Sequence, residues 1–294
     1  MAFDTAAAWF CYQLHAGRGL ATATTSDTDA DDGNLSPVAN ILDRYTFRQW
    51  QSPSEDDWFE IDFSVDVSIQ CLFVVFPRIT DPRRYHETQE IISTDEIQHF
   101  LDADGGTPGT GAILDTGLIA CGVNPKRGYH VIVLESAVSA RYWRCRIKAD
   151  SRASEGFFLV MLADAGPVFQ PSFNHIYGES LGFPDNAETQ RTPTSQTTFI
   201  TRNERTLTAR LIWDFIPDSE RASWETMDEY AGTTEPIVFG VASCNPSAFT
   251  SDTGPNGWVI EGDKVFLGLR QGDLETSSRE LNANIKQIQL TEHR

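Results

Sequence analysis

The sequence predicts a mainly all-β protein that carries a single α-helix in its C-terminal half. Two observations support this fold class. Apolar residues recur mostly at every second position in residues 57–77, and the segment is rich in β-branched and aromatic side chains, as strands are. Short strand-like segments then follow one another between turn residues, with little helical periodicity. A chain of 294 residues exceeds what one hydrophobic core usually holds, so two domains are expected.

The N-terminal half is predicted to be a β-sandwich preceded by a lead-in. Residues 1–18 contain Trp9, Phe10, Tyr12 and Leu14 and suit either an edge strand or an arm packed on a neighbouring molecule. A polar stretch, 21–37, and a glycine-rich stretch, 105–111, are predicted loops. Further short strands are predicted at residues 113–114, 130–134, 142–147 and 156–162.

The second predicted domain begins at Gly166, where glycine and proline become frequent, so the domains are 1–165 and 166–294. A strand is predicted at 206–215, and a helix at 218–231 has an acidic first turn and Gly232 as its stop. Trp224, Met227 and Tyr230 share one face of this helix and are expected in the core. Later strands are predicted at residues 236–241, 257–262, 265–269 and 285–290.

The charge and hydropathy of the chain limit its partners. A formal net charge of −19 repels phosphate backbones, so no direct nucleic-acid recognition is expected. The longest apolar stretch, residues 71–77, has the length of a strand, and no membrane segment is predicted. The N-terminus lacks a basic region before its apolar residues, so no secretory signal is expected.

The cysteine and histidine patterns do not indicate a metal or a catalytic centre. The five cysteines are dispersed and form no close pair, and Cys71 and Cys145 are predicted to be buried thiols. The histidines at positions 86, 99, 130 and 175 are scattered without ligand spacing. No phosphate-binding or dinucleotide-binding glycine pattern occurs, so no cofactor and no enzymatic activity are predicted.

An aspartate-rich loop is the weak candidate for a cation site. Asp27, Asp29 and Asp31 alternate before Gly33, as the oxygen ligands of calcium loops do. The spacing fails at the twelfth loop position, which is Val38 instead of glutamate. A solvated loop is therefore the preferred interpretation, and ion binding is the alternative.

Carbohydrate binding is the chemistry that the sequence leaves open. Loops at one end of a β-sandwich can present an aromatic ring for stacking beside charged groups that bond hydroxyls. The candidate residues in the first domain are Arg48, Trp50, Asp81, Arg83, Arg84 and Tyr85. The alternatives are that Trp50 belongs to the core and that the arginines pair with the acidic surface.

Three segments of the first domain carry a family resemblance. Residues 40–43 read Asn-Ile-Leu-Asp, residues 58–62 have tryptophan followed by isoleucine and aspartate, and residues 140–147 begin Ala-Arg-Tyr-Trp-Arg. In this order they resemble the discoidin, or galactose-binding-like, jelly roll. The resemblance covers residues 20–165 and implies a fold that serves binding and docking more often than turnover. The paired terminal cysteines of secreted members are missing here.

A second resemblance covers the rest of the chain. It rests on residues 166–174, 177–178, 205–215, 220–221, 224–230 and 236–239. These segments are similar to minor tail proteins of long-tailed bacteriophages. The resemblance implies a tail-tube-like β-barrel or sandwich with one helix, which forms part of a ring at the distal end of the tail while the jelly roll decorates the outside.

Together the two resemblances give a leading hypothesis and two alternatives. The leading hypothesis is a structural protein of a phage tail tip, located in the virion tail after assembly in the host cytoplasm. Its expected partners are a homo-oligomeric ring, other tail proteins and a host surface glycan. The alternatives are a carbohydrate-binding protein outside a virion and an accessory domain of a glycan-active enzyme.

Overall fold

The computed structural model describes most of the chain. The described residues are 3–12, 14–15, 21–25, 37–43, 49–52, 54–77, 95–104, 111–122, 128–148, 157–173, 180–182, 187–191, 198–202, 208–231, 235–241, 246–261, 265–270, 276–280 and 283–292. Most of them lie in strands, so the mainly all-β prediction is confirmed.

The strands of the first part of the chain include two that are 20 residues long. These strands are β1 (Trp9–Cys11), β2 (Thr22–Thr25), β3 (Trp50–Gln51), β4 (Asp56–Val75), β5 (Glu96–Asp102), β6 (Leu114–Asp115), β7 (Ile119–Ala120), β8 (Tyr129–Lys148), β9 (Leu159–Val160), β10 (Leu162–Gly166) and β11 (Val168–Phe169). A 3-10 helix, Val38–Leu42, precedes β3.

The later elements include the only α-helix of the described residues, α1 (Asp218–Ala231). The strands are β12 (Ser180–Gly182), β13 (Ala187–Arg191), β14 (Thr198–Arg202), β15 (Thr208–Ile216), β16 (Pro236–Gly240), β17 (Ser247–Phe249), β18 (Gly257–Ile260), β19 (Val265–Arg270), β20 (Thr276–Glu280) and β21 (Ala283–Glu292). None of the described helices is long and apolar enough to cross a lipid bilayer.

The chain divides into two compact units. The first unit comprises Met1–Ser172 and Ile237–Phe266, and the second comprises Phe173–Pro236 and Leu267–Arg294. The segment that starts at Ile237 therefore belongs with the N-terminal unit, although the sequence placed it in the C-terminal domain. Cross-strand pairing explains the difference, because β18 forms a ladder with β8 that a linear reading of the chain does not reveal.

In the first unit, which is a β-sandwich, β4 and β8 are antiparallel neighbours within one sheet. We call residues 56–63 of β4 and 141–148 of β8 the outer halves; they pair with β2 and β5, respectively. Residues 71–75 of β4 and 131–134 of β8 are the inner halves; they pair with β10 and β18, respectively. The register shifts between Asp62 and Val67, where Ser64 has a φ of 68°, and again between Ile69 and Cys71. Such bulges bend a strand, so the two halves of each long strand can pair with different neighbours.

One hydrophobic core fills this sandwich. Phe59, Ile61 and Phe63 come from the outer half of β4, and Leu72 and Val74 come from its inner half. All five are at most 3% exposed. Phe59, Ile61 and Phe63 alternate with more exposed residues as the period-two pattern predicts, whereas residues 71–75 are buried throughout. Burial of each such side chain stabilises the fold by about 1.5–3 kcal/mol.

The N-terminal lead-in is a central strand of the first unit. β1 pairs with β11 on one side and with β16 on the other, and Trp9, Phe10 and Cys11 have no exposed surface. It is therefore neither the edge strand nor the arm that the sequence allowed. Its burial follows from three consecutive apolar residues, which a strand covered on both faces requires.

In the second unit, β19, β21, β15 and β12 are antiparallel neighbours in that order, and β20 also pairs with β21. The helix α1 has the predicted bounds. Its Trp224 packs edge-to-face on Trp213 of β15, with ring centroids 5.0 Å apart. Met227 is also buried, whereas Tyr230 is 37% exposed, so the prediction that Tyr230 belongs to the core is wrong.

The described cysteines are buried free thiols, as predicted for Cys71 and Cys145. Burial raises the pKa of the Cys145 thiol well above its usual value, and Cys121 adds to the shift. A thiol that stays protonated is a poor nucleophile. Cys145 therefore acts as a small apolar side chain of the sandwich core.

Candidate functional site

The outer halves of β4, β8 and β5 present a sheet face that is polar and aromatic. We call this surface the outer face. It consists of Asp56, Trp58, Glu60 and Asp62 of β4, Arg141, Tyr142, Arg144, Arg146 and Lys148 of β8, and Glu96, Gln98, Phe100 and Asp102 of β5. Its charges lie across from one another, because acids on β4 face bases on β8 in the antiparallel register.

One part of the outer face is a triad of Glu60, Arg144 and Trp58. Arg144 Nη2 lies 2.8 Å from Glu60 Oε2, and both side chains are less than 20% exposed. The Arg144 guanidinium also lies over the indole of Trp58, with Cζ 4.0 Å from the ring centroid. The carboxylate thus holds the arginine in place, and the arginine fixes the indole through a cation–π contact.

A second triad, again of a carboxylate, an arginine and an aromatic ring, lies further along the strands. Arg141 donates two hydrogen bonds to Asp62, at 2.8 and 2.9 Å, and its Cζ lies 4.9 Å from the ring centroid of Tyr142. The outer face therefore repeats one arrangement twice, in which a carboxylate holds an arginine against an aromatic ring.

Two more ion pairs flank the triads. Arg146 is bidentate on Asp56, at 2.7 and 2.6 Å, and Lys148 lies 2.9 Å from Glu96. These side chains are all more than 40% exposed, so the pairs contribute little to stability, about 0–1 kcal/mol each. They do complete the pairing of the four bases of the outer face.

The electrostatics of Asp56 and Asp62 disfavour these two residues as general acids. Hydrogen bonds from Arg146 hold the pKa of Asp56 below its usual range, and those from Arg141 do the same for Asp62. A glycosidase acid needs the opposite shift, because its carboxyl must stay protonated near neutral pH. The acids of both pairs are therefore suited to accept hydrogen bonds and not to deliver a proton.

The predicted carbohydrate residues fall mainly outside the described part of the chain. Arg48, Asp81, Arg83, Arg84 and Tyr85 lie there, and so do the cation candidates Asp27, Asp29 and Asp31. These assignments stay predictions.

Trp50 is described, and it lies in the sandwich core with 1% of its surface exposed. Its ring packs edge-to-face on Phe59 and Phe158, at centroid distances of 5.8 and 5.6 Å. In this position the indole has no free face for a sugar. The core alternative considered for Trp50 matches its place in the structure.

Two histidines that looked scattered in the sequence meet inside the sandwich. His99 Nε2 lies 2.9 Å from His130 Nε2, and the rings are stacked and have no exposed surface. Burial lowers the pKa of His99 well below its usual value and that of His130 to about 4, so both rings are neutral at pH 7.

The partners of the two rings define their tautomers. His130 Nδ1 lies 2.5 Å from the Cys121 carbonyl and must donate to it, so its Nε2 is an acceptor. His99 then donates from Nε2, and its Nδ1 accepts from Trp143 Nε1 at 3.2 Å. With its Nε2 protonated, His99 has no free lone pair there for a metal. The described residues also include no group of three or more side chains suited to a metal ion.

Comparison with known proteins gives structural neighbours only. No protein-family model matches the sequence, and no curated protein matches it. Among solved structures, the module CpGH89CBM32-5 of Clostridium perfringens, in complex with GalNAc-β-1,3-galactose, is 9% identical, with a TM-score of 0.39. The match covers 53% of this chain and 100% of that module.

Two further neighbours are of the same kind. The family 32 carbohydrate-binding module of C. perfringens NanJ, in complex with galactose, is 9% identical, with a TM-score of 0.37 over 54% of this chain and 99% of that one. Chitosan-binding module 1 of a chitosanase/glucanase from Paenibacillus sp. IK-5 is 13% identical, with a TM-score of 0.36 over 50% of this chain and 96% of that one. These values carry no ligand and no activity over to this chain.

The outer face combines groups that are suited to holding a polar ligand. Its aromatic rings provide flat apolar surface, and the fixed carboxylates and guanidinium groups provide acceptors and donors beside them. Trp58, Arg144 and Tyr142 were not among the residues selected from the sequence. The signal was present, since all three lie in the segments that carry the jelly-roll resemblance.

Proposed function

We propose that this protein is a non-catalytic carbohydrate-binding protein and that the outer face of its β-sandwich holds the sugar. The observation that carries the proposal is the Glu60–Arg144–Trp58 triad. Sugars are recognised by an aromatic surface for their C–H faces together with planar hydrogen-bonding groups for their hydroxyls. The triad provides both, because Trp58 lies two residues before Glu60, the cross-strand partner of Arg144.

The rigidity of the triad supports the same function. A side chain that is already ordered loses little conformational freedom when a ligand arrives. Arg144 is restrained by Glu60 and Trp58, and the three are anchored on strands whose inner residues form the core. Sites built on strands are positioned more firmly than sites on loops.

A glycan array probed with the full chain tests this function. We expect retention on carbohydrate spots by the wild-type protein and a clear loss by Trp58→Ala. Tyr230→Ala is the matched control, because Tyr230 is an exposed aromatic residue of α1 in the other unit, and it should bind as the wild type does. Equal binding by wild-type protein and Trp58→Ala would contradict the assignment of the site.

A second candidate function is a structural role in a phage tail tip. It is favoured by the second unit, where an antiparallel sheet carries one helix at residues 218–231, the arrangement that the resemblance to tail proteins implies. In this role the protein forms a ring with copies of itself and with other tail proteins, in the tail of the virion. The carbohydrate site would then serve contact with a host surface glycan.

Electron microscopy and analytical ultracentrifugation separate the two roles. A tail-tip component is expected to form closed rings at high protein concentration, since ring symmetry pairs the exposed strand edges. A protein that stays strictly monomeric at high concentration would count against the structural role and leave carbohydrate binding unaffected.

A further inference from the structure

The outer face carries the same triad twice. Trp58 and Tyr142 are the aromatic members, and Asp62, the cross-strand partner of Tyr142, lies four residues after Trp58 on β4. Four residues of strand and one strand spacing separate the two rings by about 14 Å. A single sugar ring is too small to contact both, whereas a chain of several sugars can do so.

The surface between the triads is continuous. Phe100 of β5 is the cross-strand partner of Arg144, and on the other side Thr24 of β2 faces Glu60. Phe100 is half-buried and Thr24 is exposed. The path from Trp58 to Tyr142 thus runs over the Glu60–Arg144 ion pair, and Thr24 and Phe100 flank this pair on its two sides.

Ion pairing within the outer face disfavours a charged ligand. Arg141, Arg144, Arg146 and Lys148 each have a carboxylate partner within 3.0 Å. An anionic sugar would have to displace one of these partners, and a cationic sugar would have to displace a base. The net charge of −19 adds a long-range repulsion of polyanions.

We propose that the outer face binds an uncharged, linear oligosaccharide that contacts both triads at once, an inference that rests on the proposed function. The stacking partners are Trp58 at one end and Tyr142 at the other. Arg144 and Arg141, held by Glu60 and Asp62, donate their remaining N–H groups to sugar hydroxyls. The carboxylates accept hydrogen bonds from other hydroxyls.

Isothermal titration calorimetry with the full chain tests the inference. The probes are galactan, glucan, mannan and chitin oligosaccharides of increasing length with their monosaccharides, and galacturonate and glucosamine oligosaccharides as charged counterparts. We expect affinity to rise with the length of a neutral chain until it spans both triads and then to level off. Changing the sodium chloride concentration should leave this affinity unaltered, because no net charge is neutralised.

The variants separate the two triads. Trp58→Ala and Tyr142→Ala should each weaken the longer oligosaccharides by about tenfold, the factor that 1.4 kcal/mol represents. For a monosaccharide, only one of the two variants should have an effect. Trp58→Phe and Tyr142→Phe keep a ring and should retain most of the affinity, which separates loss of contact from loss of folding. Tyr230→Ala is again the control.

Three results have distinct meanings. Equal affinity for a monosaccharide and its longer oligosaccharides would overturn the two-triad inference and leave carbohydrate binding intact. Tighter binding of galacturonate or glucosamine chains at Trp58 would overturn the claim that the ligand is uncharged. Failure of all these saccharides to bind would overturn the proposed function itself.

Discussion

Arg144 lies over the indole ring of Trp58 at 4.0 Å while its guanidinium is bonded to Glu60 at 2.8 Å. The two contacts fix the arginine from both sides. Glu60 is the cross-strand partner of Arg144, and Trp58 lies two residues before Glu60 on the same face of β4. The relationship is thus a direct result of the period-two geometry of two antiparallel strands.

The Glu60–Arg144 pair should be more strongly coupled than the more exposed pairs. A double-mutant cycle with Glu60→Gln and Arg144→Met, followed by urea unfolding, should give a coupling free energy of about 1 kcal/mol, because both partners are shielded from water. The same cycle on Asp56 and Arg146, which are more than 40% exposed, is the control and should give about half of that or less. Equal coupling in the two cycles would show that Arg144 is not held more firmly than Arg146.

Gly240 should be intolerant of any side chain. It is the cross-strand partner of Trp9, and a Cβ atom at position 240 would lie 2.1 Å from Cε2 and Nε1 of that indole. Because Trp9 is fully buried and cannot swing away, Gly240→Ala should lower the free energy of unfolding by about 1–3 kcal/mol, or more.

Removal of the indole is the matched control for that clash. The double variant Trp9→Leu with Gly240→Ala should lose less than the sum of the two single variants, as measured by urea unfolding, since the smaller side chain leaves room for the new methyl group. Additive losses would show that the indole is not what excludes a side chain at position 240.

The buried histidine pair should make the first unit sensitive to acid. The pKa of each ring is lower in the folded protein than in the unfolded chain, where it is near 6.5. The stability that the neutral ring contributes is therefore fully present above pH 6.5. It is lost as the pH falls from 6.5 towards the pKa of the folded protein. For His130, with a folded pKa of about 4, the loss should be on the order of 3 kcal/mol across that window.

Unfolding measured as a function of pH checks the histidine effect. His130→Gln should be less stable at pH 7. Its stability should fall less steeply between pH 6.5 and pH 4, because glutamine does not titrate and the His130 ring accounts for part of the fall in that range. Asp56 and Asp62, whose pKa values are lowered, lose their contributions only at lower pH, so they do not mask the comparison. Parallel profiles for the two proteins would show that the pair does not titrate as described.

The helix of the second unit should show a clear difference between its faces. Met227→Ala removes a fully buried side chain and should cost about 2–5 kcal/mol of unfolding free energy. Tyr230→Ala, three residues later on an exposed position, should stay within about 0.5 kcal/mol of the wild type. Thermal unfolding of both variants checks this, and similar losses would contradict the observed orientation of the helix.

Local features of the fold were predictable from the sequence, whereas long-range pairing was not. The helix at 218–231 follows from an acidic first turn, an apolar stripe and a glycine stop, all within one short segment. The central position of β1 depends on partners at Phe169 and Phe239, and nothing in residues 9–11 indicates them. Sequence periodicity also could not show that β4 and β8 each continue through two register shifts and change their outer neighbours on the way.

The candidate site was partly encoded in the sequence. Polar or aromatic residues stand at every second position from Asp56 to Asp62, and bases do so from Arg144 to Lys148, a pattern typical of paired strands with one solvated face. The register that places Arg144 against Glu60 and Trp58 depends on the fold. The contact between His99 and His130 was likewise hidden, because 31 residues separate them and neither has a local ligand pattern.

An NMR titration is the most direct test that the outer face is the carbohydrate site. A neutral linear oligosaccharide is added to the protein, and the indole N–H signals are followed in a nitrogen–proton correlation spectrum. The chain has seven tryptophans, and the Trp58 signal is identified by its disappearance in Trp58→Phe. We expect a saturable shift of the Trp58 signal, while the signals of the buried Trp50 and Trp143 stay unchanged. A bound oligosaccharide that leaves the Trp58 signal unmoved would contradict the outer face as the carbohydrate site.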